Sequence, residues 1–195
     1  MREELHNFKL GRIIEAACKL FYERGFVGST IDSIAEELKV TKPFVYQYFK
    51  SKHEILAAVV EREIKRVIEL LDEVNSTETE PAERLRQFIR AWVEENIEVR
   101  QISIIFWQEQ QHFPAEMREH SRTWQKVLNQ RLTTLIREGD EIGTFHSGNP
   151  QLAAFAITGA LQWIPRWFRP NGPLNVEDVS QYFADLALRM VNLRP

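Results

Sequence analysis

Three helix starts lie close together between Thr30 and Ser51, and they constrain the fold more than any other feature of the chain. Thr30 and Thr41 carry hydroxyls that can cap the unpaired amide groups at a helix N-terminus, and Ser51 with Glu54 forms a capping box. Apolar residues at helical spacing follow each start. The pattern predicts two short helices joined by a tight turn, and then a longer helix that runs toward Val74.

The rest of the chain also reads as helix, because glycine and proline are few and no stretch alternates polar and apolar residues over a strand length. A first helix precedes Thr30 and ends at Gly25. Beyond a polar linker, helices are predicted at residues 81–111 (with a break near Arg100), 114–139, 150–169 and 176–193. The predicted fold class is all-α, with a three-helix helix-turn-helix head joined by a long helix to a helical body.

The charge pattern separates a head, residues 1–52, from a body, residues 53–195. The net charge is −3, yet residues 38–53 contain no carboxylate and carry four lysines: Lys39, Lys42, Lys50 and Lys52. A short basic patch on an acidic chain is typical of a small DNA-reading head, although a solvated basic loop has the same charge. No apolar run reaches membrane-spanning length, so a cytoplasmic protein without membrane contact is expected.

The third predicted helix has two different faces. At about 100° per residue, Val45 and Phe49 share one side and can pack on the second helix. The opposite side carries Pro43, Phe44 and Gln47. One face can therefore hold the helix in place while the other meets base edges in the major groove of DNA.

The same segment offers side chains for both bases and phosphates. Gln47 can pair with adenine, and Phe44 can touch a thymine methyl group. Hydroxyls, a cation and helix N-termini on the flanks can bind phosphates. The predicted DNA-binding residues are Ser29, Thr30, Thr41, Lys42, Pro43, Phe44, Tyr46, Gln47, Tyr48 and Lys52. The alternative is that Tyr46 and Tyr48 merely anchor a helical bundle.

At these residues the sequence resembles the tetracycline-repressor-like (TetR) family. The matching positions are Gly25-Phe26, Ser29-Thr30-Ile31, Ile34-Ala35, Leu38, Val40-Thr41-Lys42, Tyr46, Tyr48-Phe49, Ser51-Lys52 and Leu56. The resemblance implies an all-helical homodimer that binds double-stranded operator DNA, usually a repressor released by a small molecule. Lys39 and Pro43 depart from the family pattern, which often has a small residue or glycine at the first position and glycine or alanine at the second.

The body holds all five tryptophans, which either fill a core or line an apolar pocket. Trp163 and Trp167 lie four residues apart on one helix face, and Pro165 between them frees the carbonyl of Leu161 and kinks the helix. Arg166 beside these rings suits an anionic, partly apolar ligand. The predicted effector-binding residues are Trp92, Phe106, Trp107, Trp124, Trp163, Arg166 and Trp167.

The run from Trp163 to Gly172 is also similar to a pattern in TetR-like regulators that respond to fatty-acyl or sterol-derived coenzyme A thioesters. This resemblance is shorter than the one in the head. It implies an acyl-CoA effector, and another hydrophobic or aromatic compound stays open. No cofactor is expected.

The resemblance also implies dimerisation, since family members usually form a four-helix bundle from the last two helices of each subunit. Suitable apolar or small residues are Leu152, Phe155, Ala156, Gly159, Ala160, Tyr182, Phe183, Leu186, Met190 and Val191. Two-fold symmetry would place the two heads on adjacent half-sites of DNA. Whether Trp163 and Trp167 serve the dimer or the pocket is left open.

Neither catalysis nor metal binding is expected. No nucleophile lies beside an oriented base. Glu109, His112, Glu116 and His120 have the residue types of metal ligands, but Pro114 interrupts their helix. The predicted function is therefore a ligand-responsive, DNA-binding transcriptional regulator. The alternative is a helical protein–protein adaptor, or an enzyme whose basic patch is incidental.

Overall fold

The computed structural model describes residues 2–192, with side chains from residue 4 onward. Within that range the regular structure consists of helices: α1 (Arg2–Gly28), α2 (Ile31–Leu38), α3 (Lys42–Tyr46), α4 (Lys52–Asn75), α5 (Pro81–Glu98), α6 (Arg100–Glu109), a 3-10 turn (Gln110–His112), α7 (Ala115–Glu141), α8 (Pro150–Trp167) and α9 (Val176–Met190). The predicted all-α class is confirmed. The last helix was predicted to end at residue 193, and the two predicted domains to begin at residue 1 and end at residue 195. These three positions lie outside the described residues.

The helix boundaries agree closely with the sequence pattern, and the joints have local causes. Gly25 marks a kink in α1 rather than its end, with φ 72° and ψ 167°. A positive φ costs glycine little, which explains the residue at this point. The predicted break near Arg100 is present, since α5 ends at Glu98 and α6 begins at Arg100.

The chain folds as two compact units. The head unit contains residues up to 63 together with residues 101–122, and the body unit contains residues 64–100 and those from 123 onward. α6 and the first part of α7 therefore belong with α1–α3 and the start of α4. The predicted division after residue 52 separates the helix-turn-helix from the rest of the chain, and it stays a prediction.

An apolar core holds the head unit together. Phe21 of α1, Ile34 of α2 and Val45 of α3 are fully buried in it. Burying a side chain of this size contributes about 1.5–3 kcal/mol relative to leaving it exposed. Cys18 is half-buried, and burial raises the pKa of its thiol.

In the body unit, α5 packs on both α8 and α9. The C-terminal parts of α4 and α7 add side chains to the same core. Pro165 lies inside α8, and the Leu161 carbonyl that it frees accepts a hydrogen bond from Asn96 Nδ2 of α5 at 3.2 Å. The helix bond lost at the proline is thus replaced by a bond between helices.

Candidate nucleic-acid interface

α2 begins at a reciprocal capping box formed by Thr30 and Ser33. Thr30 Oγ1 accepts from the Ser33 N–H at 3.0 Å, and Ser33 Oγ accepts from the Thr30 N–H at 2.9 Å. The helix ends at Lys39, whose φ of 56° and ψ of 41° lie in the left-handed region. Glycine or asparagine usually takes this conformation. The resulting sharp turn leads into α3 and completes a helix-turn-helix.

α3 presents one buried side and one exposed side. Val45 is fully buried and Phe49 is 6% exposed, so these residues pin the helix to the head. Pro43 and Gln47 are exposed on the other side, and Phe44 is half-buried. The predicted facing is therefore confirmed, except that Phe44 is less exposed than expected.

Phe44 of α3 and Tyr48, two residues beyond its end, contact the first turns of α1. The Phe44 ring lies 5.4 Å from the Tyr48 ring, and Lys9 Nζ is 5.8 Å from the centre of the Phe44 ring. The Tyr48 ring in turn lies 5.1 Å from the His6 ring. Tyr46, by contrast, is 47% exposed. Of the two tyrosines, Tyr46 is thus the one whose side chain is open to a ligand.

Sequence reasoning missed the N-terminal turns of α1, including His6 and Lys9. The predicted helix was traced from Leu10, whereas α1 begins at Arg2. A signal was available, because Leu5, Phe8 and Arg12 continue the helical spacing toward the N-terminus.

Lys42 and Thr41 stand at the start of α3 with exposed side chains. Lys42 Nζ donates to Asp32 Oδ2 at 2.8 Å, and this hydrogen bond raises the pKa of Lys42. A phosphate that binds Lys42 must therefore compete with the Asp32 carboxylate. Thr41 occupies the capping position but makes no side-chain capping hydrogen bond to α3.

Ser29 and Lys52 do not point outward as expected. Ser29 is fully buried, and its hydroxyl donates to the Gly25 carbonyl at 2.8 Å. Lys52 Nζ donates to the Phe26 and Ser29 carbonyls at 2.8 and 3.2 Å. These carbonyls lie at and just beyond the C-terminal end of α1, where the helix dipole attracts a cation. Both side chains therefore join elements inside the head, which corrects the expectation of exposed phosphate ligands.

Two histidine–carboxylate pairs link α4 to α6 and α7 within the head unit. His53 Nε2 lies 3.5 Å from Glu109 Oε2, and His120 Nε2 lies 2.9 Å from Glu61 Oε2. The His53 ring also meets the Phe113 ring edge-on, with centres 6.0 Å apart. These contacts join α6 and α7 to α4, whose first turn follows α3 closely in the chain.

The predicted effector-binding residues are divided between the two units. Phe106 and Trp107 of α6 belong to the head unit, where their rings meet edge-on with centres 6.3 Å apart. In the body unit, Trp92 is buried against Phe88 with ring centres 5.4 Å apart, as a core residue would be. Trp124 is half-buried, with Lys65 Nζ 4.6 Å from its ring centre.

The remaining three predicted effector residues lie near the end of α8. Trp163 is 55% exposed, and the Arg166 guanidinium lies 4.2 Å from its ring centre. Trp167 turns toward α9 and stacks on Phe183 with ring centres 6.1 Å apart. Trp163 and Arg166 thus contact each other, whereas Trp167 contacts Phe183 of α9.

An exposed apolar face runs along α8 and continues on α9. Leu152, Phe155, Gly159 and Trp163 follow one side of α8, and Tyr182 is exposed on α9. Ala156 is also exposed, while Ala160, Phe183, Leu186 and Met190 are partly buried. Val191, which the sequence placed on this stripe, is instead fully buried in the body core.

Glu109 and His120 each pair with a side chain of α4, as described above. Among the described residues, no group of three or more such side chains could hold a metal ion. None of the described helices is long and apolar enough to cross a membrane.

A short helix anchored on one side and exposed on the other, reached through a tight turn from a second helix, defines a DNA-binding regulator of the helix-turn-helix class. Residues 13–59 match the family described as bacterial regulatory proteins, tetR family. Residues 78–191 match the tetracyclin repressor-like C-terminal domain. The chain belongs to the TetR family.

Individual relatives agree with this assignment. The HTH-type transcriptional repressor KstR2 of Mycolicibacterium smegmatis is 23% identical over 179 residues, which cover 90% of this chain and 87% of the relative. The crystal structure of PfmR from Thermus thermophilus is 30% identical, with a TM-score of 0.78 over 94% of this chain and 100% of that one. AibR, solved in complex with isovaleryl coenzyme A and operator DNA, is 25% identical, with a TM-score of 0.72 over 93% and 97% of the two chains.

The family membership fixes the class of function. The chain is a ligand-responsive, DNA-binding transcriptional regulator, and it is not an enzyme. The alternative of an adaptor or an enzyme with an incidental basic patch has no support from these relatives.

Proposed function

We propose that the chain is a cytoplasmic repressor that binds operator DNA as a homodimer and leaves it when a hydrophobic acyl-CoA thioester binds. The observation that carries this proposal is the exposed side of α3, formed by Pro43 and Gln47 above the buried Val45 and Phe49. A helix anchored on one side, with the other side open and carrying a side chain that can hydrogen-bond to bases, is what insertion into the major groove requires.

On DNA, Gln47 and the exposed part of Phe44 contact base edges, and Pro43 contributes an apolar surface without a backbone donor. Tyr46, Thr41 and Lys42 contact phosphates on the flanks, with Lys42 exchanging Asp32 for the phosphate. Thr30 and Tyr48 act more indirectly, since Thr30 caps α2 and Tyr48 is held by the His6 and Phe44 rings. Ser29 and Lys52 support the head from within.

Fluorescence anisotropy with DNA from the region upstream of the chain's own gene tests the DNA-binding function. Affinity should fall steeply as salt rises, because each neutralised phosphate releases counterions. Salt-insensitive binding, or none to any neighbouring intergenic DNA, would favour the adaptor reading. In a randomised-site selection, Gln47→Ala should alter the preferred base at one or two positions, whereas Tyr46→Phe should weaken binding to all sequences equally. An unchanged preference with Gln47→Ala would refute the groove assignment.

For the homodimer, support comes from the exposed apolar side of α8 together with its small residues. A monomer that leaves Leu152 and Phe155 of α8 and Tyr182 of α9 exposed carries apolar surface of the kind that marks an interface. At Gly159 a Cβ would meet open space in the single chain. Close helix approach in a dimer would fill that space with the partner subunit.

Gly159→Leu is therefore expected to break the dimer without unfolding the chain. Analytical ultracentrifugation measures the assembly, and circular dichroism measures the fold. Gly11→Leu is the control, because Gly11 also has nothing near a Cβ but lies in α1 of the head. If Gly159→Leu stays dimeric, the interface lies elsewhere.

For the effector, the proposal rests on the pairing of aromatic rings with cations at the end of α8, and on the AibR complex with isovaleryl coenzyme A. Arg166 above the Trp163 ring offers a guanidinium for the phosphates of coenzyme A, and Trp167 offers an apolar surface for the acyl chain. In the body unit, Trp92 belongs to the apolar core and Trp124 packs against it. Phe106 and Trp107 lie on α6 in the head unit, where the His53–Glu109 contact joins α6 to the first turn of α4.

A thermal-shift series with isovaleryl-CoA, longer acyl-CoAs, free coenzyme A and ordinary hydrophobic compounds tests this proposal, since a ligand that binds the folded state raises the unfolding temperature. Arg166→Gln should weaken acyl-CoA binding and leave the binding of neutral hydrophobic compounds unchanged. Trp167→Ala should abolish ligand-induced release while operator binding persists. Equal release by acyl-CoA in both variants and wild type would overturn the assignment of α8.

A further inference from the structure

The first turns of α1 extend the head beyond the part that the family model covers. That match begins at residue 13, whereas α1 begins at Arg2. The additional turns lie against α3, through the contacts of His6 with Tyr48 and of Lys9 with Phe44. These turns and the helix-turn-helix form the two sides of an open groove of about 190 Å³. Its lining residues are Phe8, Lys9, Arg12, Ile13, Leu38, Val40 and Phe44.

The groove carries two cations that are not engaged by carboxylates of the head. Lys9 and Arg12 form no ion pair with a residue whose side chain is described. By contrast, Lys42 pairs with Asp32 at 2.8 Å, Lys19 pairs with Glu37 at 2.7 Å, and Lys52 donates to backbone carbonyls. Lys9 and Arg12 of α1 therefore join Lys39 and Lys50 as cations near α3 that pair with no described carboxylate.

We propose that this α1 groove binds the phosphodiester backbone of duplex DNA, so that Lys9 and Arg12 contact phosphates next to the major groove that α3 enters. The proposal deepens the DNA-binding function proposed above and rests on it. Phe44 belongs both to the groove and to α3, so an occupant of the groove lies beside the bases that α3 reads. A lysine and an arginine on an apolar floor match the alternating charge and sugar surface of a DNA strand.

The experiment compares full-length wild type with Lys9→Gln, Arg12→Gln and the double variant, by titrating a fluorescent operator duplex over a range of salt concentrations. The control is the double variant Lys126→Gln/Arg137→Gln, which removes the same charge from exposed positions on α7 in the body unit. Circular dichroism melting verifies that every variant is folded. Each phosphate contact contributes about 0.9 to the slope of log affinity against log salt.

The double variant removes two contacts from each head, so a dimer on two half-sites should lose about 3.6 from the magnitude of that slope, and each single variant about half as much. The base preference in a randomised-site selection should stay unchanged. A slope equal to that of the control overturns the proposal, and so does weaker binding with an unchanged slope, since Lys9 would then act only by holding Phe44. If wild type itself binds no duplex, the DNA-binding function fails instead.

Discussion

Lys39→Gly is expected to make the folded protein more stable. Lys39 ends α2 with φ 56° and ψ 41°, where the Cβ of an L-residue crowds the following carbonyl oxygen. That crowding costs about 1–2 kcal/mol. Glycine removes the Cβ, and its greater freedom in the unfolded chain takes back about 0.4–1 kcal/mol. The net gain in the free energy of unfolding should be about 0.8 kcal/mol, the midpoint of a range of about 0–1.6 kcal/mol.

The backbone explains why glycine and asparagine should differ from alanine here. The Lys39 N–H donates to the carbonyls of Ala35 and Glu36, and no substitution other than proline removes these bonds. Asparagine tolerates the left-handed region better than most residues, so Lys39→Asn should be intermediate. Lys39→Ala keeps the crowding and should gain nothing. Stability should therefore rank glycine first, asparagine second, and lysine with alanine last.

Urea unfolding followed by circular dichroism measures this ranking, and thermal melting should show a rise of about 2–4 °C for each kcal/mol in a chain of this size. DNA titration across salt concentrations separates strain from charge, because all three variants lose the same cation. If Lys39 contacts a phosphate in each half-site, every variant should lower the magnitude of the salt slope by about 1.8. Equal stabilities for Lys39→Gly and Lys39→Ala would refute the strain argument, whatever the DNA result.

Three further predictions follow from single contacts. A Cβ at Gly139 would overlap the ring of the buried Phe145, so Gly139→Ala should cost about 1–3 kcal/mol in urea unfolding, whereas Gly11→Ala should gain up to about 1 kcal/mol. Lys52→Met keeps the length of the side chain but loses its hydrogen bonds to two carbonyls, so it should lower the free energy of unfolding by about 1.5–3 kcal/mol. The salt slope of DNA binding should stay unchanged, and a reduced slope would identify Lys52 as a phosphate ligand. Because burial raises the pKa of the Cys18 thiol, iodoacetamide should modify the native protein more slowly than the urea-unfolded chain at pH 8, and equal rates would contradict that shift.

Features that depend on neighbours along the chain were predictable from sequence. The capping positions Thr30 and Thr41, the break near Arg100 and the helix start at Pro81 all appear in the structure. The buried side of α3 was also predictable, because helical periodicity alone places Val45 and Phe49 together. Each of these rests on interactions within a few residues, which a single sequence displays directly.

Features that depend on distant residues were not predictable. Lys52 has the composition of a phosphate ligand, but its ammonium group is held by a carbonyl 26 positions earlier in the chain. The tryptophans share a residue type, yet Trp107 belongs to the head unit while Trp92 belongs to the body core. Packing decides which side chain of another helix a residue contacts, and the residue's type does not identify that contact.

The internal use of cations in the head bears on why the protein should act as a dimer. Lys42 and Lys52 are each engaged within the head, so one head has fewer cations available to release counterions from DNA than its sequence suggests. Two heads on one duplex double the number of available cations. Once the first head is bound, the second head is held at a high effective concentration near its own half-site. A dimer-breaking variant that kept full operator affinity would be incompatible with this reasoning.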